Sequence, residues 1–123
     1  MRVKSHIWVS AYLRRVNSAF VHAALVRRGD ADAGAIYIKV AALDGTAQVF
    51  APLSAELAEM TPSDTLIVEE GRAWQPVYAS QAGEAEADAY LAKQASRDPD
   101  IWVLEVEAGQ DQHFLGERTM ALS

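Results

Sequence analysis

The chain has 123 residues, 50% apolar and 23% charged, with a net charge of −6 and no cysteine. That length is the size of one domain with one hydrophobic core, and the composition is too apolar for disorder. The missing thiols exclude a disulfide framework, a thiol nucleophile, a Cys-type zinc site and an iron–sulfur cluster.

No apolar stretch approaches the roughly 18 residues that cross a bilayer. Arg14 and Arg15 interrupt any signal-peptide core, so the expectation is a cytoplasmic protein. The charge is unevenly spread. Residues 1–40 carry seven basic side chains against Asp30 and Asp32, whereas residues 41–123 carry four against fifteen acids. Such a split suits either an anion-binding arm or a first third that neutralises the rest internally, and the second reading is preferred.

The first predicted element is a helix over residues 5–20. At roughly 100° per residue, Trp8, Val9, Tyr12, Leu13, Val16, Ala19 and Phe20 share one arc, and Ser5 is its expected N-cap. Residues 21–28 read as a strand and residues 29–34 as a loop. Residues 35–42 form the next strand, with Ile36, Ile38 and Val40 on one face and Tyr37 and Lys39 on the other. Asp44-Gly45 predicts a type I′ hairpin, returning along residues 46–51 and ending at Pro52.

Residues 54–64 are mixed, with room for one helical turn. Residues 65–70 and 72–78 predict a second hairpin around Glu70-Gly71. A second helix spans residues 84–97, acidic at its start and basic at its end, with Ala87, Leu91 and Ala95 inward beside Tyr90. Asp98-Pro99-Asp100 stops it. Residues 101–107 form a strand that carries Ile101, Val103 and Glu105 on one face and Trp102, Leu104 and Val106 on the other. Residues 112–115 are expected to pair back before a frayed tail. The order has no βαβ rhythm. It predicts one α+β domain over residues 1–123, an antiparallel sheet of five to seven strands with two main helices packed on one face.

The chemistry is sparse. Gly29 to Gly34 imitates a phosphate-binding loop, yet Ala35 and Ile36 stand where Lys and Ser/Thr belong. Asp30-x-Asp32-x-Gly34 opens like a calcium loop, but Ala41 occupies the place of its bidentate glutamate. Both yield to an acidic turn between strands. His6, His22 and His113 stand far apart, without metal-ligand spacing, and no serine sits in a nucleophile elbow. No metal and no cofactor is expected.

Asp98 and Asp100 are the candidate functional loop, since paired carboxylates do acid–base work or hold a metal. A nuclease-like strand would place an acid two residues before its lysine, where Lys39 has Tyr37. Arg14, Arg15, Arg27 and Arg28 are the candidate binding residues for an anionic partner. Nucleic acid is nevertheless disfavoured by the acidic balance and by Trp8, Trp74 and Trp102 falling in apolar patterns that read first as core.

The segments 4–15, 27–35, 43–45 and 98–103, with Glu105 and Glu107, together resemble a bacterial domain-of-unknown-function family, number 1491. The resemblance covers nearly the whole chain and implies a stand-alone bacterial protein of this length. It brings no activity, ligand or functional residue. The leading expectation is therefore a non-enzymatic protein-interaction module that self-associates or docks on a protein partner, with no membrane association. The alternatives are a nucleic-acid accessory protein using the four arginines, and a metal-dependent hydrolase built on Asp98 and Asp100, with His113 as a further candidate.

Overall fold

The computed structural model describes residues 3–62, 65–69, 71–109 and 112–116. The elements are α1 (Ser5–Ser18), β1 (His22–Arg27), β2 (Ile36–Ala41), β3 (Thr46–Leu53), α2 (Ala55–Met60), β4 (Ile67–Glu69), β5 (Arg72–Pro76), β6 (Ala82–Gly83), α3 (Glu84–Arg97) and β7 (Trp102–Glu107). Six strands run in the order β1-β7-β2-β3-β5-β4, and β6 pairs with β3 to complete a seven-stranded sheet.

The sheet is mixed. β2 and β7 run parallel, with Ile36 opposite Trp102 and Lys39 opposite Glu105, while the other ladders are antiparallel. This corrects the expected antiparallel sheet. The crossover through β3 to α3 returns the chain to the near side of β2, a placement that local patterning does not encode.

The two long helices lie on opposite faces, which corrects the expectation of one face. Trp8, Val9, Tyr12 and Val16 of α1 pack with Ile36, Ile38 and Val40 and with Trp102, Leu104 and Val106. Ala87 and Leu91 of α3 pack with Val49 and Val103, beside Tyr37 and Tyr90. Both β2 and β7 therefore bury both of their faces, as central strands between two helical layers do. Trp8 stacks on Tyr12 with ring centroids 5.0 Å apart, and Trp74 Nε1 donates to the Ile36 carbonyl at 2.9 Å.

Local departures have local causes. Ser5 is the first residue of α1 rather than its cap, because its buried hydroxyl is used elsewhere, donating to the Gly34 carbonyl at 2.7 Å. The helix ends at Ser18, so Ala19 and Phe20 leave the apolar arc and are exposed. At the β2–β3 hairpin only Gly45 has positive φ, and Gly45 N–H donates to the Ala42 carbonyl. That is a three-residue loop with a glycine in the left-handed region rather than a type I′ turn. β3 runs through Pro52 to Leu53. Its ladder to β2 stops at Ile38–Phe50, and only the β5 ladder continues past the residue that lacks an N–H.

Residues 112–115 do not form a strand. Instead Tyr12 Oη donates to the His113 carbonyl at 2.6 Å, and Arg15 Nη2 donates to the Phe114 carbonyl at 2.7 Å. The expected frayed tail lies outside the described residues.

Candidate functional site

Lys39 sits in the middle of the sheet on the α3 side, with its side chain 3% exposed. Strand alternation put it on the face of Tyr37, and the parallel register sets it opposite Glu105. The start of α3 lies over this face, and Glu84 and Asp88, four residues apart, project from one side of the helix. The three N–H donors of the ammonium meet three carboxylates: Asp88 Oδ1 at 2.7 Å, Glu84 Oε2 at 2.8 Å and Glu105 Oε1 at 3.2 Å. Burial by itself lowers the pKa of this lysine, but the hydrogen bonds it donates to Asp88, Glu84 and Glu105 outweigh it and hold the group above the ordinary lysine value. Lys39 is thus a fixed cation rather than a nucleophile.

Beside this hub a cavity of about 540 Å³ opens between α3 and the β1–β7 edge. One helix does not cover a seven-stranded sheet, and α3 contributes the small side chains of Ala92 and Ala95 to the lining of the gap. Val26, Leu91 and Val103 add apolar wall, and Arg27 enters from β1. Arg27 Nη2 donates to the Pro99 carbonyl at 2.9 Å, while its Nε is shut off from solvent without an acceptor among the described residues.

A second cleft lies at the end of the sheet where β1 begins and β2 and β7 finish. It is lined by Leu43, Glu84, Glu105 and Glu107, so it shares two carboxylates with the hub. Two large apolar side chains stand free at this pole. Leu43 at the hairpin tip is 101% exposed relative to a free residue, and Phe20, two residues before β1, is 99% exposed. The pairs His22–Glu107 and Ala41–Glu107 place β1, β2 and β7 together at this end. Phe20 also has φ 64, a left-handed conformation that L side chains other than Asn and Asp avoid. Its N–H donates to the Asn17 carbonyl, and the Val21 N–H to the Val16 carbonyl, which is a helix end that normally carries glycine. Asp44, on the same hairpin, has its carboxyl held below the usual range by the Thr46 hydroxyl and amide.

The sequence-predicted residues are dispersed. Arg15 Nη2 binds Glu69 at 3.1 Å, and Arg28 lies 5.3 Å over the Trp102 ring. Arg27 lines the cavity and Arg14 is exposed on α1, so the four arginines serve separate surfaces. Asp98 Oδ1 accepts the Asp100 N–H at 3.0 Å, closing the turn between α3 and β7, and both residues are exposed. His113 packs against Phe50 instead, on the α1 side of the sheet. Asp30 Oδ2 accepts from the Asp32 and Ala33 amides, as an acidic turn requires. Among the described residues no group of three or more His, Asp or Glu is arranged to hold a metal. None of their helices is long and apolar enough to cross a membrane.

The Lys39 hub escaped the reading by motif. Its trace was present as two charged residues, Lys39 and Glu105, on strand faces otherwise apolar. A helix with Glu84 and Asp88 at spacing four supplied the remaining partners.

Residues 3–116 match a family model described as a protein of unknown function, DUF1491, and the chain belongs to that family. The crystal structure of a DUF1491 family protein from Caulobacter crescentus CB15 is 36% identical, with 95% of this chain and 96% of that one covered and a TM-score of 0.72. An NMR structure of a DUF1491 family protein from the same organism is 37% identical, with 94% of each chain covered and a TM-score of 0.70. The solution structure of a protein from A. tumefaciens is 29% identical over 94% of each chain, with a TM-score of 0.72. No curated protein matches the chain.

Proposed function

We propose that this member of the DUF1491 family is a non-enzymatic protein-interaction module, and that its binding surface is the pole carrying Phe20, Leu43 and the neighbouring carboxylates. One observation carries the reading. Phe20 is fully exposed in a backbone conformation that disfavours it, so neither packing nor local geometry accounts for a large aromatic there. Leu43 repeats the pattern at the adjacent hairpin, where a polar residue would serve the turn.

The charge at this pole selects the occupant. Glu84, Glu105 and Glu107 line the cleft next to Leu43, and Asp44 follows it in the turn. Lys39, buried beneath, neutralises one charge of the set. The surface suits a protein segment that bears both aliphatic and basic side chains, and it repels nucleic acid phosphates and anionic lipid. The dispersal of Arg14, Arg15, Arg27 and Arg28 supports the same preference.

The test uses two synthetic peptides of equal length, one of leucine and lysine and one of leucine and glutamate. The leucine–lysine peptide is expected to shift the amide resonances of Phe20, Leu43 and Glu107, and its binding is expected to weaken with salt. Phe20→Gly with Leu43→Asn is expected to abolish the shifts while the fold stays intact. Equal binding of both peptides, binding indifferent to the double variant, or burial of the pole in a dimer of this chain would overturn the reading.

A further inference from the structure

We infer that the cavity between α3 and the β1–β7 edge is a binding site for a small zwitterion with an aliphatic body, of the class of a free amino acid or a dipeptide. The inference does not rest on the docking pole, and it begins from what the cavity offers. Its size, about 540 Å³, lies within the range of small-molecule sites. Its walls combine an apolar stretch, from Val26, Leu91 and Val103, with charged groups of both signs.

The negative component is in excess. Asp88, Glu84 and Glu105 each give one oxygen to Lys39, and three carboxylates against one ammonium leave two charges uncompensated. Their second oxygens make no hydrogen bond among the described residues. Lys39 thereby fixes a row of acceptors rather than cancelling them, and a ligand ammonium would find them already oriented. The positive component is Arg27. Its Nη2 is held by the Pro99 carbonyl, which sets the guanidinium in place, and its buried Nε lacks an acceptor. Arg27 makes no salt bridge among the described residues, so a ligand carboxylate would find an unpaired guanidinium at the cavity wall. An amine alone would leave Arg27 unused, and an anion alone would face the carboxylates. A zwitterion answers both, with its aliphatic part against Leu91 and Val103.

The experiment titrates the full chain with leucyl-leucine, and in parallel with N-acetyl-leucine, which lacks the ammonium, and isopentylamine, which lacks the carboxylate. Methyl resonances of Val26, Leu91 and Val103 are followed. Leucyl-leucine is expected to shift them saturably and to bind at least tenfold tighter than either half-ligand. Arg27→Gln is expected to weaken the dipeptide at least tenfold and to leave isopentylamine unchanged. Because Arg27 also holds the Pro99 carbonyl, Ala92→Phe serves as a second variant. Ala92 is an exposed helix position on the rim, so its enlargement fills the cavity without touching the core, and it is expected to block the dipeptide. No saturable shift at millimolar dipeptide, equal binding of isopentylamine, or unaltered binding in Ala92→Phe would overturn the inference. Phe20→Gly is expected to leave dipeptide binding unchanged, which separates this site from the pole.

Discussion

Arg15 on α1 and Glu69 on β4 form a pair across 54 positions of sequence, with Nη2 3.1 Å from Oε1 and the Glu69 side chain 1% exposed. The same Oε1 accepts the Gly116 N–H at 3.1 Å, and the guanidinium lies 5.4 Å over the Tyr12 ring. One buried carboxylate thus joins the long helix, an edge strand and the segment after β7.

Removing that carboxylate is expected to be costly. Glu69→Ala leaves the Gly116 amide without its acceptor and takes the buried carboxylate from Arg15, which keeps the Phe114 carbonyl, a change worth about 1–3 kcal/mol for a lost buried acceptor. Urea denaturation measures the loss. Limited proteolysis is expected to cut near residues 112–116 sooner than in the parent chain. Glu69→Gln, which keeps an acceptor oxygen, is expected to retain part of the stability.

Lys39 predicts an alkaline limit. Its pKa is raised in the folded chain, so the folded state holds this proton after the unfolded state has released its own. The stabilisation is therefore complete below the ordinary lysine value of 10.5 and is lost as pH rises above it towards the folded value. Denaturation midpoints from pH 8 to beyond that value check the slope. Lys39→Met is expected to lose about 2–4 kcal/mol at neutral pH, less than a wholly buried pair because the carboxylates are partly exposed, and to lose most of the alkaline slope.

Phe20→Gly is expected to stabilise the fold by about 1 kcal/mol, since glycine takes the left-handed helix end without strain and the exposed ring gives up no packing. Thermal unfolding reads this as a rise in Tm. A fall would show that the ring is packed.

Gly34→Ala is expected to destabilise by roughly 2–3 kcal/mol, the range of a forced overpacking. The added Cβ would meet the Asp100 carbonyl and the Asp30 backbone, neither of which can turn aside. Denaturation checks it, and Gly83→Ala, with open space around the Cβ, is the control expected to change little.

The glycines of that loop show how far sequence reading went. Gly29 and Gly34 drew attention through their spacing, and the acidic turn was legible because Asp30 caps it locally. Their actual constraint, the passage of the Asp100 and Ile101 backbone, comes from 66 or more positions away. The same division governs the hub. Lys39, Glu105 and the Glu84–Asp88 spacing were visible one by one, but their convergence required the β2–β7 register.

By itself the amino-acid sequence determined what local physics can write. The α3 span, the faces of β2 and β7, the hairpin around Gly71 and the burial of Trp8, Trp74 and Trp102 follow from periodicity, turn chemistry and apolar content. The tertiary structure alone decided that β7 inserts parallel between β1 and β2, that α1 and α3 take opposite faces, and that Lys39 is ringed by three carboxylates. The reason is physical. Periodicity tells a strand which side chains share a face, whereas the neighbouring strand and the helix on each face are chosen by packing between segments distant along the chain.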